Sequence, residues 1–156
     1  MELFMGEGFR WGAAQELRDE SDRLRFRLTG DAYSLGKRLH VTDLAGREAI
    51  YVRQVIPSLF PRYALEVYGK PAGELVKDLT FSRPQCVIES LGWTVEGNLA
   101  ARDYRLEDAG TVLACSAPEG DRVRLTMEEG PRAMTALGVM LTINCIFAPQ
   151  ESRHRP

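Results

Sequence analysis

Apolar and polar residues alternate through most of this chain, and the alternation stops near the carboxyl end. Arg23-Leu24-Arg25-Phe26-Arg27-Leu28 sets Leu24, Phe26 and Leu28 on one face and three arginines on the other. That period of two is the mark of a half-buried β-strand. The segment from Ala133 to Ala148 breaks the pattern, because it is uncharged and apolar on every side. It predicts a helix over 131–148, with Glu128 and Glu129 at the positive end of its dipole, Pro131 in its first turn and Pro149 as its stop. A helix with no polar face has to be enclosed by protein or by lipid.

The alternating part contains a duplication. Phe9-Arg10-Trp11-Gly12 is echoed by Tyr33-Ser34-Leu35-Gly36 at an offset of 24 residues, and the offset continues ungapped through Asp19 and Asp43, Arg23 and Arg47, Phe26 and Ile50, and Leu28 and Val52. A repeat of this length marks one supersecondary unit used more than once, here a β-hairpin. Taking Asp19 to Asp22 as a four-residue loop sets Leu17 opposite Leu24 inside and Glu16 opposite Arg25 outside. The same register in the second unit, with Asp43 to Gly46 as the loop, sets Leu39 opposite Ile50 and His40 opposite Ala49. Both pairings bury the apolar set.

Later runs continue the pattern: 62–68 and 73–80 around Gly69-Lys70-Pro71, 85–90 and 93–97 around Leu91-Gly92, 103–106 and 112–116 around Glu107-Asp108-Ala109-Gly110, which resembles the earlier Asp-x-x-Gly loop, and 122–127. Prolines 57, 61, 84, 118 and 131 are read as lying between strands. About ten to twelve evenly spaced strands predict a barrel or a sandwich. A helix of about 18 residues is about 27 Å long, close to the height of a barrel of short strands. A rod threaded through a closed sheet buries its whole circumference, whereas a sandwich would leave it half wet. The expectation is therefore a mainly β (α+β) single domain over 1–148. It is a closed antiparallel β-barrel of about 12 strands filled by the central apolar C-terminal helix, with a polar tail over 149–156.

Composition adds limits. The chain has 156 residues, 44% hydrophobic and 27% charged, with 20 basic and 22 acidic side chains and a net charge of −2. That is one ordinary globular domain, with no overall field favouring nucleic acid. Cys86, Cys115 and Cys145 are odd in number and far apart, so neither a disulfide framework nor a zinc site is expected. Free thiols in apolar surroundings fit a cytoplasmic location. The N-terminus has an early acid and no long apolar core, unlike a signal peptide. The uncharged helix falls short of the about 20 residues a bilayer needs, and Gly138 and Asn144 weaken it as a span. Arg153, His154 and Arg155 behind it are what a tail anchor would carry, and that is the minority reading.

Phe-x-Trp-Gly, Leu39-His40-Val41-Thr42-Asp43, Ser58-Leu59-Phe60-Pro61-Arg62-Tyr63, Leu91-Gly92-Trp93-Thr94-Val95-Glu96-Gly97 and the apolar final helix together resemble the LURP-one-related family, over essentially the whole chain. The resemblance implies the tubby C-terminal-like and phospholipid-scramblase-like superfamily, whose fold is a roughly twelve-stranded barrel around a C-terminal helix. Tubby domains bind phosphoinositides through basic surface residues, and scramblase relatives act on membrane lipid. Fold alone carries neither activity over. Leu35, at the second tryptophan-like position, and the tail after Ala148 depart from the family pattern.

No catalytic motif is present: there is no GxSxG, HExxH or GxxxxGK[ST]. His40 reads as an outward strand residue beside Arg38 and Thr42, and Glu89, Glu96 and Asp103 read as surface carboxylates, so no catalytic residue, metal or cofactor is expected. The basic residues are more informative. Arg23, Arg25 and Arg27 form an outward stripe, the repeat adds Arg47 and Arg53, and Arg62, Lys70, Lys77 and Arg83 follow. These nine are the candidates for an anionic ligand, balanced against neutralisation by Glu16, Glu48, Glu66 and Glu74. Aromatic residues at hairpin entries (Phe9, Trp11, Tyr33, Phe60, Tyr63, Phe81, Trp93) are expected to cap the barrel. The leading expectation is a non-enzymatic binding domain for anionic phospholipid headgroups at a membrane surface. The alternative is a structural or regulatory protein-interaction module with no small-molecule ligand. Oligomeric state stays open.

Overall fold

A computed structural model describes residues 1–32, 36–78, 85–89 and 91–149. Twelve strands follow one another: β1 (Glu2–Gly6), β2 (Gln15–Arg18), β3 (Leu24–Asp31), β4 (Arg38–Asp43), β5 (Glu48–Gln54), β6 (Arg62–Val67), β7 (Lys70–Asp78), β8 (Gln85–Glu89), β9 (Trp93–Asn98), β10 (Asp103–Asp108), β11 (Thr111–Glu119) and β12 (Arg122–Met127). Each is antiparallel to its neighbours, and β12 pairs with β1 over Glu2↔Thr126 to Gly6↔Arg122. The order is an up-and-down meander, so connections alternate between two ends. The upper end carries segments 7–14 and 55–61; the lower end carries the 19–23 and 43–47 loops.

The closed barrel expected from the sequence is corrected to a wrapped antiparallel sheet that is not joined throughout. The strand order returns to its start, but among the described residues β1 meets β2 at the single pair Phe4↔Arg18, and β8 meets β9 at Val87↔Thr94 and Ile88↔Trp93. The β1–β2 seam is thin because β2 has only four residues. The chain before it instead lays Phe9 and Trp11, edge to face at 4.9 Å, over Gly30. A Cβ on Gly30 would meet their rings at 2.6 and 2.8 Å, so the glycine makes the close approach possible. The result is a wrapped sheet laced at two thin seams, rather than a hydrogen-bonded hoop throughout.

Inside it runs α1 (Ala133–Thr142), which continues as a π-helical turn over Ile143–Phe147. The predicted single α-helix over 131–148 is thus two residues shorter at its start and changes its winding near its end. Every residue from Ala136 to Ala148 is buried. Gly138 lets the helix lie against β5 and β6: a Cβ there would meet Leu65 Cδ1 at 2.6 Å and Ile50 Cγ2 at 3.2 Å. The buried amide of Asn144 is satisfied, since its oxygen accepts from the Tyr104 hydroxyl at 2.8 Å and its nitrogen donates to Ser116 Oγ at 3.1 Å. Arg102 Nε caps the end by donating to the Asn144 carbonyl at 3.1 Å.

The duplication survives to the atomic level. Asp19 Oδ1 accepts from the backbone N–H groups of Ser21 (2.9 Å) and Arg23 (3.0 Å). Asp43 Oδ1 accepts from those of Ala45 (2.9 Å) and Arg47 (3.0 Å). In both loops those N–H groups hold the carboxyl below its ordinary range, the one from Arg23 or Arg47 most strongly. The predicted registers are each off by two residues. Leu17 lies opposite Phe26 and Glu16 opposite Arg27, while Leu39 lies opposite Val52 and His40 opposite Tyr51. A bulge after Leu17, and another after Val41, absorbs an extra residue. A shift of two keeps every side chain on its face.

Three turn assignments also change. Tyr68-Gly69 and Ala109-Gly110 have positive φ at both residues and connect Val67↔Lys70 and Asp108↔Thr111. They are two-residue hairpin turns of the mirror-image type, so Lys70 and Pro71 already belong to β7 and 107–110 is not another Asp-x-x-Gly loop. Pro118 lies within β11, not between strands, opposite Val123 of β12. The β10 ladder has ended by then at Tyr104↔Ser116, so Pro118 is paired on one side only, where a missing N–H is tolerated.

Candidate functional site

The outward face of β3 to β6 is built in cross-strand rows. One row runs Glu16, Arg27, Thr42, Glu48; the next Thr29, His40, Tyr51, Glu66; the uppermost Asp31, Arg38, Arg53, Ala64. His40 stacks on Tyr51 with centroids 5.0 Å apart and planes 25° from parallel. Its Nδ1 lies 2.8 Å from Glu48 Oε2 and its Nε2 3.4 Å from Asp31 Oδ2. Both ring nitrogens thus face carboxylates, and the ring has no hydroxyl or thiol partner to activate. Cys145 is also unsuited to nucleophilic work, because complete burial pushes its thiol up to about 12. Among the described residues, no three His, Cys, Asp or Glu side chains converge in a metal-binding group.

The nine predicted anion-binding residues separate into three groups. Arg25, Arg47 and Arg62 have carboxylate partners: Asp19 at 3.9 Å, Asp43 at 3.2 Å and Glu74 at 2.6 Å. Arg47 also covers the Tyr68 ring at 5.5 Å. Arg23, Arg27, Arg53 and Lys70 are exposed, but Arg23 and Lys70 stand near the lower end and Arg53 near the upper. Lys77 corrects the sequence reading. It is 4% exposed, on the inward face of β7 with Leu75, and its ammonium lies 5.8 Å from the Phe147 ring. The alternation Leu75, Lys77 already carried that signal. Arg83 lies outside the described residues, as do Tyr33, Leu35, Phe81 and the tail residues Arg153, His154 and Arg155. The eight described candidates therefore do not form one patch.

Arg38 was missed by the sequence reading. Under the predicted register it faces Tyr51; the two-residue shift puts it directly opposite Arg53. Neither guanidinium has a carboxylate within ion-pair distance among the described residues. Asp31, the neighbour of Arg38 on β3, turns to His40 instead. Like charges directly opposed across a ladder are destabilising, so the pair is held against its own repulsion.

Immediately above these arginines is the 55–61 connection. Its base is fixed: Val55 N–H donates to the Arg62 carbonyl at 2.9 Å, Lys77 N–H to Pro61 at 2.9 Å, and Gln54 N–H to Lys37 at 2.9 Å. Its tip is apolar and open to solvent, with Leu59 91% exposed and Ile56 59% exposed. Other hairpin-entry aromatics behave as expected of end caps: Tyr63 and Trp93 are buried, and Phe9 and Trp11 pack against the core. Burial raises the Tyr63 phenol to about 12, and its ring meets Phe147 edge-on at 5.4 Å. No helix among the described residues is long and apolar enough to cross a membrane.

Comparison with known proteins places this geometry. The family model described as LURP-one-related matches residues 2–144. The uncharacterized protein YxjI of Bacillus subtilis (strain 168) is 31% identical over 148 residues, covering 90% of this chain and 91% of its own length. An X-ray structure of a protein from Arabidopsis thaliana superposes with a TM-score of 0.62 at 12% identity, covering 97% of this chain and 92% of that one, which is a likeness of fold alone. With the model match spanning nearly the whole sequence, the chain belongs to the LURP-one-related family.

Proposed function

We propose that this protein is a non-enzymatic, peripheral binding domain that docks on anionic phospholipid headgroups through the upper part of its β3–β6 face. The observation that carries the reading is the pair Arg38 and Arg53, two arginines directly opposite across the β4–β5 ladder with no carboxylate partner among the described residues. An anion between them would relieve their repulsion and accept forked hydrogen bonds from both. Exposed Arg27 lies lower on the same face and extends its positive field. The tubby-like and scramblase-like kinship implied by the sequence supplies a precedent for lipid. A cytoplasmic setting belongs to the proposal, supported by the unpaired thiols of Cys115 and Cys145.

Each basic residue near an acidic leaflet contributes about 1 kcal/mol. Flotation with phosphatidylserine-containing vesicles should therefore recover the protein, phosphatidylcholine vesicles should not, and added salt should release it. Arg38→Gln with Arg53→Gln should weaken binding by roughly thirtyfold without altering the unfolding midpoint much. Equal recovery on both vesicle types, or none on either, would overturn the lipid reading in favour of a protein-interaction module.

A further inference from the structure

We infer that the 55–61 connection is the membrane-inserting element of this protein, with Leu59 and Ile56 entering the headgroup–acyl boundary of an anionic bilayer while Arg38 and Arg53 hold the headgroups beside them. The inference rests on the lipid reading of that face and adds the element that penetrates.

Leu59 is the most exposed large apolar residue among those described, at 91%, and Ile56 lies three positions before it on the same loop at 59%. Single exposed apolar residues are ordinary, and Leu44 in the lower 43–47 loop is one, sharing its loop with the Asp43 carboxylate. Two on one tip, above an unneutralised arginine pair, are a different arrangement. The connection is also presented firmly. Its two ends are pinned by the Val55–Arg62 and Pro61–Lys77 backbone bonds, and Ser58 Oγ donates to the Phe60 carbonyl at 2.7 Å within the tip. A preformed tip loses little conformational freedom on insertion, so more of its apolar burial is available for binding. Gly36, two residues before β4, leaves room for Ile56, whose Cδ1 a Cβ at Gly36 would meet at 2.8 Å.

Charge selects the occupant. A protein groove would receive the apolar tip equally well, but the opposed arginines at its foot call for a surface dense in anions, which an acidic leaflet provides. The polar neighbours are compatible with this: the Glu74 carboxylate is engaged by Arg62, and Asp31 by His40.

The test uses vesicles of phosphatidylserine and phosphatidylcholine with acyl-brominated chains. Leu59→Trp should give emission quenched by the brominated chains on anionic vesicles, above the baseline of native Trp11 and Trp93, and should show no such quenching on neutral ones. The double variant Ile56→Ser, Leu59→Ser should bind anionic vesicles at least about tenfold more weakly at an unchanged unfolding midpoint. If the native chain binds anionic vesicles while the double variant binds equally well and Leu59→Trp is unquenched, insertion is overturned and headgroup docking stands. If the native chain fails to bind them at all, both fall. Loss of a stoichiometric protein partner in the double variant, with vesicle binding intact, would also overturn insertion.

Discussion

The two ends of the wrapped sheet are built to different rules. At the lower end, where α1 begins, four hairpin connections are short and internally bonded. Two are the duplicated Asp19 and Asp43 loops, and two are the Tyr68-Gly69 and Ala109-Gly110 turns. Each of these four hairpins carries a bulge. Their donors and acceptors are used up locally, and strand coiling is set there. At the upper end, where the helix finishes, the 7–14 and 55–61 connections are longer. One holds two apolar side chains in solvent above two like-charged arginines. The lower end satisfies its two loop aspartates locally; the upper end sets two like charges opposite one another beside an exposed apolar tip. Unresolved surface on an otherwise satisfied fold is where a partner has something to gain.

The strongest way to break the contrast is to remove what both ends share. Leu141 is 0% exposed near the end of α1, about midway along the helix and its π-helical continuation, and Leu141→Asp puts an unpaired charge there. The variant should show no cooperative unfolding transition, since an uncompensated buried charge costs several kcal/mol. A native-like melt would mean that the helix is not the core. Gly138→Leu should come next, destabilising by about 1–3 kcal/mol as the new side chain drives the helix off Leu65 and Ile50, measurable by denaturant titration.

Changes at the lower end should touch stability alone. Asp19→Asn and Asp43→Asn should each lower the unfolding midpoint, Asp43→Asn by the larger amount because Asp43 Oδ2 also accepts from the Tyr68 hydroxyl and Arg47 Nε, and neither should alter vesicle binding. Their pH dependence has a defined sign. Both carboxyls sit below the ordinary 3.8 in the folded state, so their contribution is complete above that value and is lost as pH falls through the depressed folded value. The double variant should show a flatter acid limb of stability below about pH 4 than the native chain. An unchanged limb would mean that the loop bonds are not maintained in solution. Smallest of all, Arg25→Glu on the exposed side of β3 should change folding stability by no more than about 0.5 kcal/mol. Insolubility of that variant would mean that the strand faces are reversed.

How much of this was legible varies with the kind of signal. Arg25, Arg27 and Leu28 fell on the right faces because alternation alone fixes them. The helix was legible because no polar face could be found for it, and the paired aspartates because the repeat lined them up. Lys77 was misplaced by attention to charge over alternation. β1 was not anticipated, because Glu2 to Gly6 is too short and uniformly apolar to show a period. The 55–61 tip was read only as a family motif, since exposure of Leu59 is a property of its surroundings and leaves no trace in a local pattern.

By itself, then, the sequence determined which side of each strand faces inward, where the chain turns, and that one segment must lie within the rest. Those properties depend on the kind and spacing of neighbouring residues. Tertiary structure decided the register, the thin seams and the meeting of Arg38 with Arg53. Sliding one strand past another by two residues leaves every face as it was, so apolar pattern cannot tell the registers apart. The bulges after Leu17 and Val41 can, because each extra residue in a ladder moves all the pairings beyond it.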